Sequence, residues 1–198
     1  MTQFLAFMRG LHEASLMALF GSACLLSLLS AKVPELALES APLILARRLA
    51  ALAALISAPL WMALVAAEMT GTPAAATNME TLWQVAIETL FGHIFLARMV
   101  LILGLGLAVW LGRMKTTLWL AGLSLILIAV TSHTAGASPG GFGIIGASSD
   151  ALHLLTGGYW IGSLCVLWPC LWSGPPRPVW VWRFPSSPNG ACCRWRCC

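Results

Sequence analysis

Five long apolar runs leave this chain little choice of fold. They cover roughly Ala14 to Ala31, Leu49 to Ala67, Ile94 to Leu111, Thr117 to Val130 and Ala151 to Trp172. The fourth run sits in a stretch with no charge between Lys115 and Asp150, so it has room to extend to about 20 residues, enough to cross a bilayer. Inside hydrocarbon every backbone N–H and C=O must be paired within its own segment, so each run predicts a helix. Composition agrees. Of the 198 residues 59% are hydrophobic and 9% charged, against about a quarter charged in a water-soluble domain. That balance excludes a soluble globular enzyme and a disordered chain alike. The expected fold is all-α, a polytopic transmembrane helix bundle with about five spans. The formal charge of +4 is spread along the chain. It marks no nucleic-acid footprint, and the partner it leaves is the lipid bilayer.

The residues between the runs are of the kind that break helices. Pro34 and Pro42 bracket the first loop, Thr70-Gly71-Thr72-Pro73 ends the second helix, and Gly136-Ala137-Ser138-Pro139-Gly140-Gly141 ends the fourth. Pro59 falls inside the second run, where a membrane bundle tolerates the bend it is expected to cause. Small residues recur every fourth position at Ala46, Ala50, Ala54 and Ala58, and Gly158 and Gly162 form a GxxxG pair. Both patterns predict close helix contact. The first run is long for the apolar core of a secretory signal, and Glu13 stands at its start, so it reads as a span rather than a cleaved leader.

Charge sets the orientation. The first loop carries Lys32, Arg47 and Arg48, and the third carries Arg113 and Lys115. The second, from Glu68 to His93, holds Glu68, Glu80 and Glu88 with no Lys or Arg, and the fourth holds Asp150 alone. By the positive-inside rule the first and third loops are cytoplasmic and the other two external. The amino terminus is then external, with Arg9 as the one basic residue against it.

This topology puts all four histidines near the external face. His12 and His93 open the first and third helices, His133 closes the fourth, and His153 lies one turn into the fifth. Met8 is four residues before His12 and shares its helical face; Met69 and Met79 lie in the second loop. Asp150 is three residues before His153, placed to ligate a metal or to orient the imidazole. A donor set of imidazole, thioether and carboxylate suits copper better than magnesium or calcium. Each histidine is equally readable as a solvated headgroup residue, and the three methionines as ordinary apolar residues. Arg98 is read as snorkelling outward or pairing with Glu68 or Glu88, with an ion path as the alternative. Arg9 and Glu13 are spaced for a local ion pair. Trp61, Trp83, Trp110, Trp119 and Trp160 are read as interface and packing residues.

Four segments resemble one family. Gly10-Leu11-His12-Glu13-Ala14-Ser15-Leu16-Met17-Ala18-Leu19-Phe20-Gly21 is similar to the first helix of the CopD copper-resistance membrane proteins. Phe91-Gly92-His93-Ile94-Phe95-Leu96-Ala97-Arg98 resembles the opening of that family's third helix, and Ser132-His133-Thr134-Ala135-Gly136 its S/G-H-T/A-x-G segment. Asp150-Ala151-Leu152-His153-Leu154-Leu155 followed by Tyr159-Trp160-Ile161-Gly162-Ser163-Leu164 resembles its D-x-x-H helix, with Ser163 in place of a usual glycine. The resemblance implies a bacterial inner-membrane protein of copper homeostasis. It would move copper across that membrane, alongside a periplasmic CopC-like carrier. By motif position it carries over His12, His133 and His153 as metal residues, and it does not carry over His93. Family members are longer, with about eight helices.

The reading divides the chain into a CopD-like transmembrane domain, 1–172, and a tail, 173–198. The tail holds Ala191-Cys192-Cys193-Arg194-Trp195-Arg196-Cys197-Cys198 and is rich in Pro, Arg and Cys. It suits a shifted reading frame in a GC-rich gene, with a Cu(I)-binding thiolate clamp as the functional alternative. Cys24, Cys165 and Cys170 read as small apolar residues within helices. No nucleophile–base pair and no phosphate loop is visible, so the chain is expected not to be an enzyme. Two other functions stay open. One is a b-type cytochrome with haem between His133 and His153; the other is a membrane partner subunit without metal.

Overall fold

The computed structural model describes residues 2–32, 41–131 and 141–172. Its helices are α1 (Thr2–Lys32), α2 (Ala41–Thr70), a short 3-10 turn (Pro73–Ala76), α3 (Met79–Glu88), α4 (Leu90–Trp110), α5 (Met114–Val130) and α6 (Gly141–Trp172). No strand occurs among the described residues. Thr2–Ala31, Ala41–Thr70, Leu90–Trp110 and Gly143–Trp168 are each long and apolar enough to cross a membrane, and Met114–Val130 is a shorter apolar helix. Its 17 residues rise about 26 Å, close to the thickness of a hydrocarbon core. The all-α membrane bundle expected from the sequence is what the structure shows. The shifted-frame and thiolate-clamp readings of residues 173–198 lie outside the described residues.

Helix boundaries follow local chemistry. The second span ends at Thr70 because Gly71 takes a left-handed φ of +69°, which costs glycine nothing, and Pro73 then starts the 3-10 turn. Asn78 caps α3 by accepting from the backbone N–H groups of Glu80 and Thr81. Thr89 caps α4 through the N–H of Gly92. α2 runs through Pro59 without interruption.

The sequence placed several helix starts too late. α1 begins at Thr2 rather than Ala14, α2 at Ala41 rather than Leu49, and α6 at Gly141 rather than Ala151. The apolar runs begin after polar or charged residues that the helices in fact include, such as Glu13, Arg47 and Asp150. Within α1, Arg9 and Glu13 neutralise each other at 2.8 Å, so the helix continues past both.

Helices α1, α2, α4 and α5 close a ring in which each packs on the next, and α6 docks outside it against α1 and α5. α1 packs most extensively on α6. A Cβ added at Gly21 would meet the carbonyl oxygen of Gly158, and one at Gly162 would lie 2.6 Å from the Cα of Gly21. The two backbones touch there, which is what the GxxxG pair predicts. The alanine stripe of α2 is shifted from the expected register. Ala51, Ala54 and Ala58 are buried, Ala50 packs on the core, and Ala46 is exposed.

A small core of Leu26, Leu43 and Val166, with Leu25 and Met114, joins the end of α1, the start of α2, the start of α5 and the later half of α6. The helices therefore alternate in direction, with α1 and α6 parallel. Lys32, Arg47, Arg48, Arg113 and Lys115 gather toward this end, and Glu68, Glu80 and Glu88 toward the other. The outward faces carry Leu49, Leu52, Ile56, Leu103, Leu107, Trp119, Leu164 and Trp168, all exposed, as lipid contact requires. Four of the five singled-out tryptophans are outward; Trp61 is buried.

Candidate functional site

Among the described residues the ring encloses one histidine. His12 sits on α1 with no exposed surface. Its Nδ1 lies 3.1 Å from the carbonyl oxygen of Ala54 and 3.1 Å from Ser57 Oγ, both on α2. A carbonyl can only accept, so Nδ1 carries the proton and donates it. The tautomer is thereby set, and Nε2 keeps its lone pair. That nitrogen is buried and has no hydrogen-bond partner. Metal-binding imidazoles are held in this way, with the remote nitrogen anchored to a carbonyl and the other free to coordinate.

Trp61 packs beside the imidazole, ring centres 5.7 Å apart. The indole is the hub of the site. Phe91 meets it edge-on at 6.1 Å and stacks on Phe95. The Arg98 guanidinium lies 4.7 Å over its face and that of Arg9 5.9 Å. Met8, 9% exposed, is one turn before His12 on α1. Arg98 is 1% exposed, and Nε, Nη1 and Nη2 all lack hydrogen-bond partners. It therefore neither snorkels outward nor bonds to Glu68 or Glu88, because the indole face draws it into the ring. Arg9 and Glu13 form the expected ion pair.

The remaining sequence candidates lie apart from this site. His93 is exposed on the first turn of α4. His153 is exposed on α6, more than three turns from its start, and Asp150 is half-buried one turn before it. Because α6 docks outside the ring, His153 does not share the enclosed space of His12. Met69 is exposed on the last turn of α2 rather than in a loop, and Met79 is exposed at the start of α3. His133 lies outside the described residues. Among the described residues no group of three or more His, Cys, Asp or Glu side chains is arranged to hold a metal ion. Sequence reasoning missed Ala54, Ser57 and the inward role of Trp61. A serine two residues before a proline, inside an otherwise apolar helix, was the available signal for Ser57.

The profile of the copper resistance protein D-like family, N-terminal domain, matches residues 1–144. The chain belongs to this family. It is a multi-pass membrane protein of the copper-resistance D-like class. The matched residues contain His12, His93 and His133 and end before Asp150 and His153. No curated protein and no solved structure matches the chain.

Proposed function

We propose that this D-like protein binds copper inside the ring through His12 Nε2 and takes part in moving it across the bacterial inner membrane. The observation that carries the reading is the buried imidazole whose Nδ1 is anchored to Ala54 while Nε2 is bare. A polar nitrogen left unpaired in an apolar bundle is costly unless something occupies it. Imidazole is a good copper ligand, and the thioether of Met8 one turn away favours the cuprous ion. His133 and His153, with Asp150, are proposed as further donors along the entry, and His93 as an outer residue.

In this reading the acidic end faces the periplasm, with the amino terminus there, and the basic end faces the cytoplasm. A CopC-like carrier delivers copper at the acidic end. Copper is cargo, and the chain binds and passes it without catalysing a reaction. The haem alternative pairs His133 with His153; His133 lies outside the described residues, and His153 is exposed on α6.

The test is copper retention by the detergent-purified protein. His12→Ala is expected to abolish most of it, and copper-dependent accumulation in cells is expected to fall in parallel. Retention equal to that of the unsubstituted protein in His12→Ala rejects the assignment.

A further inference from the structure

Arg98 poses a separate chemical problem. It is the largest fully buried side chain of the described bundle, in the middle of a span. An ionised group at that depth must be compensated, and functional sites are where such groups are kept. The Trp61 indole attracts the flat face of the guanidinium. Stacking leaves the rim of N–H donors unused, and these form a fork suited to an anion. None of Nε, Nη1 and Nη2 has a hydrogen-bond acceptor.

No described carboxylate is hydrogen-bonded to Arg98. Glu13 accepts from Arg9 Nε at 2.8 Å, and its attraction for Arg98 is opposed by the charge of Arg9. Glu68, Glu80 and Glu88 are exposed, and Asp150 is on α6 outside the ring. Among the neutral groups close by, His12 turns Nδ1–H toward Ala54, its Nε2 accepts no hydrogen bond, and Trp61 offers its ring face. Phe91 packs on the same indole and Phe95 on Phe91, and Arg98 is 1% exposed, so its partner must be small.

We propose that the guanidinium rim of Arg98 holds a small monovalent anion of the halide class inside the helix ring, beside Trp61. The anion neutralises the buried charge. It also makes the ring receptive to a cation: without it, a metal ion at His12 Nε2 would meet an uncompensated positive charge across the same indole. The anion site itself does not depend on the copper reading and is measured without copper.

The experiment is equilibrium dialysis of radiolabelled chloride against the purified full chain in a sulfate buffer containing a copper chelator. Saturable uptake is expected for the unsubstituted protein. Arg98→Gln should weaken it by about tenfold or more, through loss of the charged donors, and Arg98→Lys should retain part of it. Lys115→Gln, at an exposed cation of the basic end, should leave it unchanged. Absence of saturable uptake in the unsubstituted chain overturns the proposal, whether water or nothing sits on the fork. So does equal uptake by folded Arg98→Gln. Uptake appearing only in Glu13→Gln would make that carboxylate the true partner and also overturn it. Should Arg98→Gln not fold, the unsubstituted chain and Arg98→Lys still decide. Loss of copper binding in His12→Ala with chloride uptake intact would separate the two sites.

Discussion

Trp61 shows how one side chain serves several charged neighbours. An indole face attracts cations, and here Arg98 and Arg9 lie over it while the His12 ring leans against it. Trp61→Leu loses volume and both contacts. We expect a destabilisation of about 2–4 kcal/mol, from cavity formation plus cation–π losses of about 0.5–2 kcal/mol each. Trp61→Phe should cost less than half as much, read from chemical unfolding in detergent. Ser57 is the finer probe. Ser57→Ala removes one of two groups at His12 Nδ1 while Ala54 stays. Copper affinity should then fall by about 10–100-fold, as for other residues that orient a ligand, with stability lowered by only about 1 kcal/mol. At this scale the sequence pointed to His12 and to the Arg9–Glu13 pair, because spacing within one helix is readable. It did not reveal Ser57, Trp61 or Arg98 as a group. Their meeting depends on how α1, α2 and α4 are rotated, which no single helix encodes.

At the scale of elements, the contact between α1 and α6 is made by absence of side chains. Gly162→Ala would put a methyl 2.6 Å from the Cα of Gly21 and 2.6 Å from the backbone nitrogen of Ser22. The helices must part, at an expected cost of about 1–3 kcal/mol. Gly157→Ala, where nothing lies within 4 Å, should be neutral or stabilising by about 0.5–1 kcal/mol. Thermal scans of the two variants side by side check both signs. The Gly158–Gly162 pair was legible in the sequence because its spacing is a local pattern. α3 was not legible. Its ten residues are too few for a span, and the acidic loop around it masked the cap at Asn78 and the apolar face of Leu82, Val85 and Ala86. Gly92 is what lets this helix lie against α4, since a Cβ there would strike the backbone of Val85 and Ala86. Trp83 and Ile87 are left exposed on it, as in a helix resting at a membrane interface.

For the whole molecule, the alternating helix directions divide the charges between two ends. Single cysteines at Thr77 and Lys115, in a background cleared of the native ones, are expected to label from opposite sides. Thr77→Cys should react with an impermeant maleimide in intact cells, and Lys115→Cys only after permeabilisation. Labelling of both from one side would contradict the bundle. The division of charges between two ends was readable from loop residues alone, since charge asymmetry survives errors of several residues in the helix ends. The ring and the outer position of α6 were not, because apolar runs look alike whether they face lipid or a neighbour. The glycine contact then sets an order of events during synthesis. Of the described helices, the earliest to be made finds its most extensive neighbour in the last, so a bare glycine groove on α1 must wait in the bilayer until α6 has been inserted.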